Sequence, residues 1–285
     1  MSIVTIHEAW ATGRDQLAQA SFTPELDARL LLQYVLHVEH SYLIAHGDET
    51  LTKLQASDYA ALLARARAKE PVPYITGSAP FYGFDVHVNP AVLIPRPETE
   101  ELVGRAVSWV GPRSGLRIVD VGTGSGCIAI ALARHLPPTI LLASDLSLKA
   151  IQVARLNAQK LAKQSITFVQ SDLLAALGGP FDLIVANLPY VADDEWTIID
   201  DGVKWYEPSL ALSGGEDGLD LFRALLRQAA VRLRPGGAVF LEIGWRQGSA
   251  VRQLAGDFFP LADIKVFTDL TGQDRIVQIQ TSQAA

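Results

Sequence analysis

"LRIVDVGTGSGCIAIALARHL", residues 116–136, reads as a strand, a glycine turn and a helix in unbroken succession. Residues 116–122 read as the first strand of an alternating series. Gly122, Gly124 and Gly126 follow; without a Cβ, the backbone there turns tightly and approaches a ligand closely. The dinucleotide fingerprint wants its third glycine three residues after the second, where this chain has Cys127. The tighter spacing, with Asp120 just ahead of it, suits a ligand without phosphates. The loop alone equally describes a bare strand-to-helix turn.

Working outward, strands and helices alternate from residue 116. The strand-like runs are "LRIVDVG", "ILLASDL", "ITFVQSDL", "FDLIVANLP" and "GAVFLEIG", with helical stretches between them. This order predicts an α/β fold with a doubly wound parallel sheet and right-handed crossovers. "DIKVFTDL" and "RIVQIQ", around Thr271-Gly272-Gln273-Asp274, predict a terminal antiparallel hairpin. Upstream the texture differs. Residues 1–75 read as a small all-α domain, with helices starting at Thr23-Pro24-Glu25 and at Ser57-Asp58. Residues 76–95 are a linker in which "FDVHV" and "AVLI", separated by Asn89-Pro90, resemble a β-hairpin. Residues 96–285 form the third segment, opened by a helix at Pro97-Glu98.

Composition narrows the function classes. With 285 residues, 49% hydrophobic and 19% charged, the chain is long enough to bury a proper core and is expected to be soluble. No apolar run spans a bilayer, and the start lacks the build of a signal peptide. The single Cys127 excludes an internal disulfide and fits a reducing cytoplasm. The six histidines show no metal-ligand spacing, so no metal is expected. Net charge −7 and pI ≈ 5.4 argue against dominant nucleic-acid binding.

Candidate site residues cluster at strand ends. Asp145 follows the glycine loop by about twenty residues, where a carboxylate accepts both hydroxyls of a ribose; a helix cap is the plainer role. Asp172 stands at the next strand end with the same two readings. Together they favour adenosine, and S-adenosylmethionine fits best: ribose hydroxyls, no phosphates, a cationic sulfonium. The fourth strand runs out into Asn187-Leu188-Pro189-Tyr190. The Asn187 side-chain oxygen and the Leu188 carbonyl can each accept one N–H of a planar amino group. That arrangement aims the nitrogen lone pair at a methyl donor and favours the pyramidal nitrogen of the transition state. Tyr190 is expected to lie against the planar group, with Pro189 stiffening the turn.

"PVPYITGSAPFYGFDVHVNPAVLIPRPETEELV", "VDVGTGSGCIAIALA", "SDLS", "FDLIVANLPYV", "YEPSLALSGGEDGLDLF" and "LEIG" resemble the protein-(glutamine-N5) methyltransferases that modify peptide-chain release factors. The resemblance runs over essentially the whole chain. It implies a class I methyltransferase sheet, S-adenosyl-L-methionine as donor with S-adenosyl-L-homocysteine as product, a cytoplasmic enzyme, and the glutamine of a release factor's Gly-Gly-Gln loop as acceptor. It implies residues 1–75 as the substrate-recognition domain and residues 96–285 as the methyltransferase domain. By position, Gly122, Thr123, Gly124, Ser125, Gly126, Asp145 and Asn187 would hold the cofactor, with Asp172 and Leu173 near its adenine. Asn187, Leu188, Pro189 and Tyr190 would hold the glutamine amide. Arg96 would contact the substrate backbone or else pair with Glu98 or Glu100. The family usually has Asn-Pro-Pro-Tyr; Asn-Leu-Pro-Tyr is also found in adenine dimethyltransferases of ribosomal RNA. Adenine amino-methylation of RNA or DNA is therefore the alternative.

Overall fold

Thr5 accepts the Glu8 N–H and Glu8 returns a bond to the Thr5 N–H, a reciprocal cap that starts α1 (Ile6–Leu17). Thr52 and Gln55 do the same for α4. In the computed structural model, which describes residues 4–283, the first unit is built from α1, α2 (Pro24–Leu36), α3 (His40–Ala45), α4 (Lys53–Arg67) and α5 (Val72–Thr76). Its core holds Leu17, Leu31, Leu32 and Tyr59. The helix expected to begin at Ser57-Asp58 begins a turn earlier, because Thr52 with Gln55 satisfies the first N–H groups and leaves Ser57 and Asp58 inside α4.

The second unit comprises residues 79–199 and 207–283 of the described chain. It starts with a two-stranded sheet, β1 (Ser78–Phe81) and β2 (Phe84–His87). The hairpin thus turns at Tyr82-Gly83, not at Asn89-Pro90 as the sequence suggested. Tyr82 (φ 47) and Gly83 (φ 79) are both left-handed, as a tight two-residue hairpin turn requires. "AVLI" does not pair, because the Asn157 side chain takes both the His87 N–H and the His87 carbonyl at 2.9 Å. Asn89 instead folds the next residues into a turn through the Ala91 N–H.

Then come α6 (Pro97–Val110), β3 (Arg117–Val121), α7 (Cys127–His135), β4 (Ile140–Asp145), α8 (Leu148–Leu161), β5 (Ile166–Gln170) and β6 (Phe181–Asn187). The short α9 (Asp201–Tyr206) belongs to the first unit, where Asp201 pairs with Lys69 at 3.2 Å. The chain closes with α10 (Asp220–Ala230), β7 (Leu233–Glu242), α11 (Gly248–Phe258), β8 (Asp263–Thr268) and β9 (Asp274–Gln280). The seven-stranded sheet has the order β5-β4-β3-β6-β7-β9-β8. β3 to β7 are parallel, and β9 is antiparallel to both β7 and β8. The α/β architecture and its terminal hairpin are as the alternation predicts. β3 and β6 are buried along nearly their whole length, as central strands covered on both faces must be. Among the described residues, no helix is long and apolar enough to cross a membrane.

Candidate active site

β3, β4, β5 and β6 end at one edge of the sheet, and the winding direction reverses between β3 and β6. Open α/β sheets bind ligands at that switch point. A cavity of ≈ 170 Å³ lies there, lined by Gly122, Thr123, Gly124, Ser125, Asp145, Asp172, Leu173, Asn187, Leu188, Pro189 and Arg96 among others. Gly126 and Tyr190, also expected at the site, are not in this lining.

The glycine loop is held by its neighbours in the sheet. Gly122 and Thr123 both donate to the Ser144 carbonyl at 2.9 Å. Gly122, Gly124 and Gly126 all have positive φ (76, 55 and 83°), which a side chain would strain. Their duties differ. A Cβ at Gly124 would meet nothing nearer than the Gly122 carbonyl oxygen at 4.0 Å, so its bareness keeps the cavity wall open. A Cβ at Gly126 would lie 3.1 Å from the Ala154 Cβ; that glycine lets α7 and α8 pack and caps α7. This packing role explains why Gly126 faces away from the cavity.

Asp120 is fully buried beneath the loop. Its Oδ2 accepts the Thr123 hydroxyl at 2.7 Å and the Ala129 N–H at 3.2 Å, while Oδ1 has no partner. Burial, opposed by these two bonds, pushes its pKa up to about 7. Asp145 accepts the Gly124 N–H at 2.9 Å on Oδ2 and the Ser147 N–H at 2.8 Å on Oδ1. Burial raises its pKa and the backbone donors pull it back. Ser147 itself caps α8 through the Ala150 N–H, so Asp145 organises the loop and helix start while also lining the cavity. Leu173 sits in the left-handed region (φ 51), unusual for a branched residue, and is almost buried.

At the end of β6, Asn187 Nδ2 donates to the Thr99 hydroxyl at 3.0 Å. This engages the donor end of the planar amide and leaves Oδ1, at its other end, as the acceptor Asn187 can offer to the cavity. Leu188 is 3% exposed; its side chain enters the sheet core and presses on Gly122. Its side chain is therefore committed to packing. Tyr190 is absent from the cavity lining: its ring packs against that core beside Gly244, and burial pushes the phenol up to about 12. The Gln247 side chain pins its carbonyl at 2.9 Å.

Arg96 pairs with Glu207 at 2.5 Å, not with Glu98 or Glu100. Those two glutamates lie in the first turn of α6, and Glu100 instead accepts the Tyr82 N–H. Glu207 also takes the Ile94 N–H at 3.1 Å, fixing the segment ahead of α6. Sequence reasoning left Glu207 without a role, and it missed Thr99 and Glu242. Thr99 and Asn187 are 88 residues apart and Arg96 and Glu207 are 111 apart, so no local spacing marks either pair.

The cavity walls combine carboxylates, hydroxyls and apolar side chains, and the Arg96 charge is already answered by Glu207. A nucleoside with free ribose hydroxyls and no phosphate fits this donor set and the bare cradle at Gly124. Fold and site define a class I S-adenosylmethionine-dependent methyltransferase. The family model described as PrmC N-terminal domain matches residues 8–77, and that described as methyltransferase small domain matches residues 107–204. The chain is 40% identical over 278 residues to the release factor glutamine methyltransferase of Koribacter versatilis, covering 96% of this chain and 98% of that one. It is 37% identical over 274 residues to the Escherichia coli protein of the same name, covering 95% and 97%. The T. thermophilus 16S rRNA N2 G1207 methyltransferase in complex with AdoMet and guanosine shares the fold, with TM-score 0.53 and 21% identity over 72% of this chain and 49% of that one. The chain belongs to the release factor glutamine methyltransferase family.

Proposed function

We propose that this enzyme methylates the side-chain amide nitrogen of the glutamine in the Gly-Gly-Gln loop of peptide-chain release factors, in the cytoplasm. The observation that carries the reading is the amide of Asn187, tethered by its nitrogen to Thr99 at the cavity edge. S-adenosyl-L-methionine, when bound, supplies an electrophilic methyl group on a sulfonium. The chain's own residues hold and orient. Asp145 would accept the ribose hydroxyls, Gly122 to Ser125 would line the cofactor's approach, and Asp172 and Leu173 would lie near the base. Asn187 Oδ1 and the Leu188 carbonyl each accept one N–H of the substrate amide. Two fixed acceptors turn the nitrogen lone pair out of conjugation and toward the methyl group, which favours the transition state over the planar ground state. No base is needed beforehand, because the proton becomes acidic once the nitrogen carries the methyl group. Arg96, held by Glu207 at the rim, receives the substrate backbone. The helical unit supplies recognition surface.

Incubation with methyl-labelled S-adenosylmethionine and either a release factor or ribosomal RNA tests this. Label on the Gly-Gly-Gln glutamine is expected. Label on RNA adenine with none on the release factor would overturn the assignment in favour of the RNA enzymes that share Asn-Leu-Pro-Tyr.

A further inference from the structure

Glu242 is a buried carboxyl that the mechanism above does not use. It ends β7 directly opposite Asn187, the last residue of β6, in parallel register. The two side chains therefore leave the sheet on the same face. Glu242 is 1% exposed and Thr99 2% exposed, and the Glu242 Oε2 has no hydrogen-bond partner. A carboxyl is costly to bury with one oxygen idle, and a leucine would suit the end of this apolar strand better.

Hydrogen-bond directions at Asn187 give it a purpose. The Thr99 hydroxyl accepts from Asn187 Nδ2 at 3.0 Å, and it has one proton of its own to donate. Given no other acceptor, that proton can go to an inverted Asn187, meeting Oδ1 where Nδ2 now stands. An inverted amide would offer N–H groups to a substrate that also offers N–H groups. Burial pushes the Glu242 carboxyl up to about 7 against hydrogen bonding from both Thr99 and Asn187, with Arg275 on β9 lowering it and Glu98 on α6 raising it. Both groups therefore lie close enough to Glu242 to favour its charged form. With Oε2 unpartnered, Oε1 is the oxygen of Glu242 left to face these two groups.

We infer that Glu242 is a positioning residue for methyl transfer: acting with Thr99, it fixes the Asn187 amide with nitrogen inward and oxygen toward the acceptor substrate. This rests on the proposed role of Asn187. Glu242 touches neither substrate nor cofactor. Its influence is confined to which end of the Asn187 amide faces the cavity, so it acts on turnover rather than on binding.

The test compares Glu242→Leu with Glu242→Gln, using release factor as the varied substrate at saturating S-adenosylmethionine. Leucine fills the buried position without an acceptor. Glutamine keeps an oxygen for Thr99 and places its amide nitrogen where Oε2 has no partner. Glu242→Leu should lose kcat about tenfold or more, the size of one charge-assisted bond, with KM for release factor and affinity for S-adenosylhomocysteine unchanged. Glu242→Gln should recover most of that loss. Wild-type kcat in Glu242→Leu would overturn the inference, as would a Gln variant as slow as the Leu variant. So would a kcat loss matched by lost cofactor affinity, which would mark general support of the fold. Should Glu242→Leu fail to fold, Thr99→Val carries the test: lowered kcat at unchanged KM is expected, and wild-type kcat overturns the inference. A failure of the substrate reading is seen separately, because the unmodified chain would then leave the release factor unlabelled.

Discussion

The Leu188 side chain closes on Gly122: a Cβ built on that glycine would lie 3.0 Å from Leu188 Cδ2. The acceptor turn after β6 and the cofactor loop after β3 are thus packed as one piece, and the residue that departs from the family's usual proline makes the contact. Gly122→Ala should suffer twice, from its φ of 76° and from this contact. A left-handed alanine costs about 1–2 kcal/mol by itself. Thermal unfolding should fall accordingly, and calorimetric titration should find weaker S-adenosylhomocysteine binding. Unchanged values for both would mean that the loop relaxes freely.

Leu188→Pro should keep methyl transfer to release factor within a few-fold, since the position serves substrate through its carbonyl. Proline also suits a strand end, biasing Asn187 toward extended backbone. The expected cost is in stability. Leu188 is buried in the sheet core, and the smaller ring leaves space there worth about 1–3 kcal/mol. Loss of release-factor activity at intact fold would assign the leucine side chain to substrate choice.

Asp145→Ala removes a carboxylate that anchors Gly124 and Ser147 besides facing the cavity. Each charge-assisted bond is worth roughly 1.5–3 kcal/mol, so affinity for S-adenosylhomocysteine should drop by at least about a hundredfold. An unaltered Kd would remove the residue from the cofactor site.

Asn187→Ala should leave S-adenosylhomocysteine affinity nearly intact and lower kcat by about 10²–10³, the usual effect of losing one transition-state hydrogen-bonding group. Steady-state kinetics on release factor reads this directly; wild-type turnover would sink the mechanism.

Asp120 and Glu242 both titrate near pH 7 in the folded chain because burial disfavours their charges. Their unfolded values lie in the ordinary carboxylate range near 4. Between those limits the folded state holds more protons than the unfolded one, so stability must fall as pH rises from about 5 to about 7. Melting temperature measured across that range should decline. Asp120→Asn should flatten the curve, since an amide keeps one acceptor and carries no charge. A variant curve parallel to wild type would remove Asp120 as a source.

Phe22 on the helical unit is 92% exposed, with Leu26 and Arg29 beside it. Phe22→Ala should raise KM for release factor while kcat stays constant, the signature of lost uniform binding. A fall in kcat at fixed KM would place this surface in support of the chemistry instead.

Local chemistry in the sequence determined the strand-turn-helix at residues 116–136, the terminal hairpin and the convergence of Asp145, Asp172 and Asn187, because alternation and strand-end position are properties of neighbouring residues. Glycine spacing was legible for the same reason, though not that Gly126 serves helix packing rather than the cavity. Tertiary structure alone decided what long-range partners decide. Asn157 ends β2 and keeps "AVLI" from pairing; Glu207 takes Arg96 from the glutamates next to it in sequence. Thr99 and Glu242 meet Asn187 only because α6, β6 and β7 bring their ends together. A hydrogen bond has a direction and a partner, and a chain read residue by residue carries the donor without saying which distant acceptor folding will set beside it.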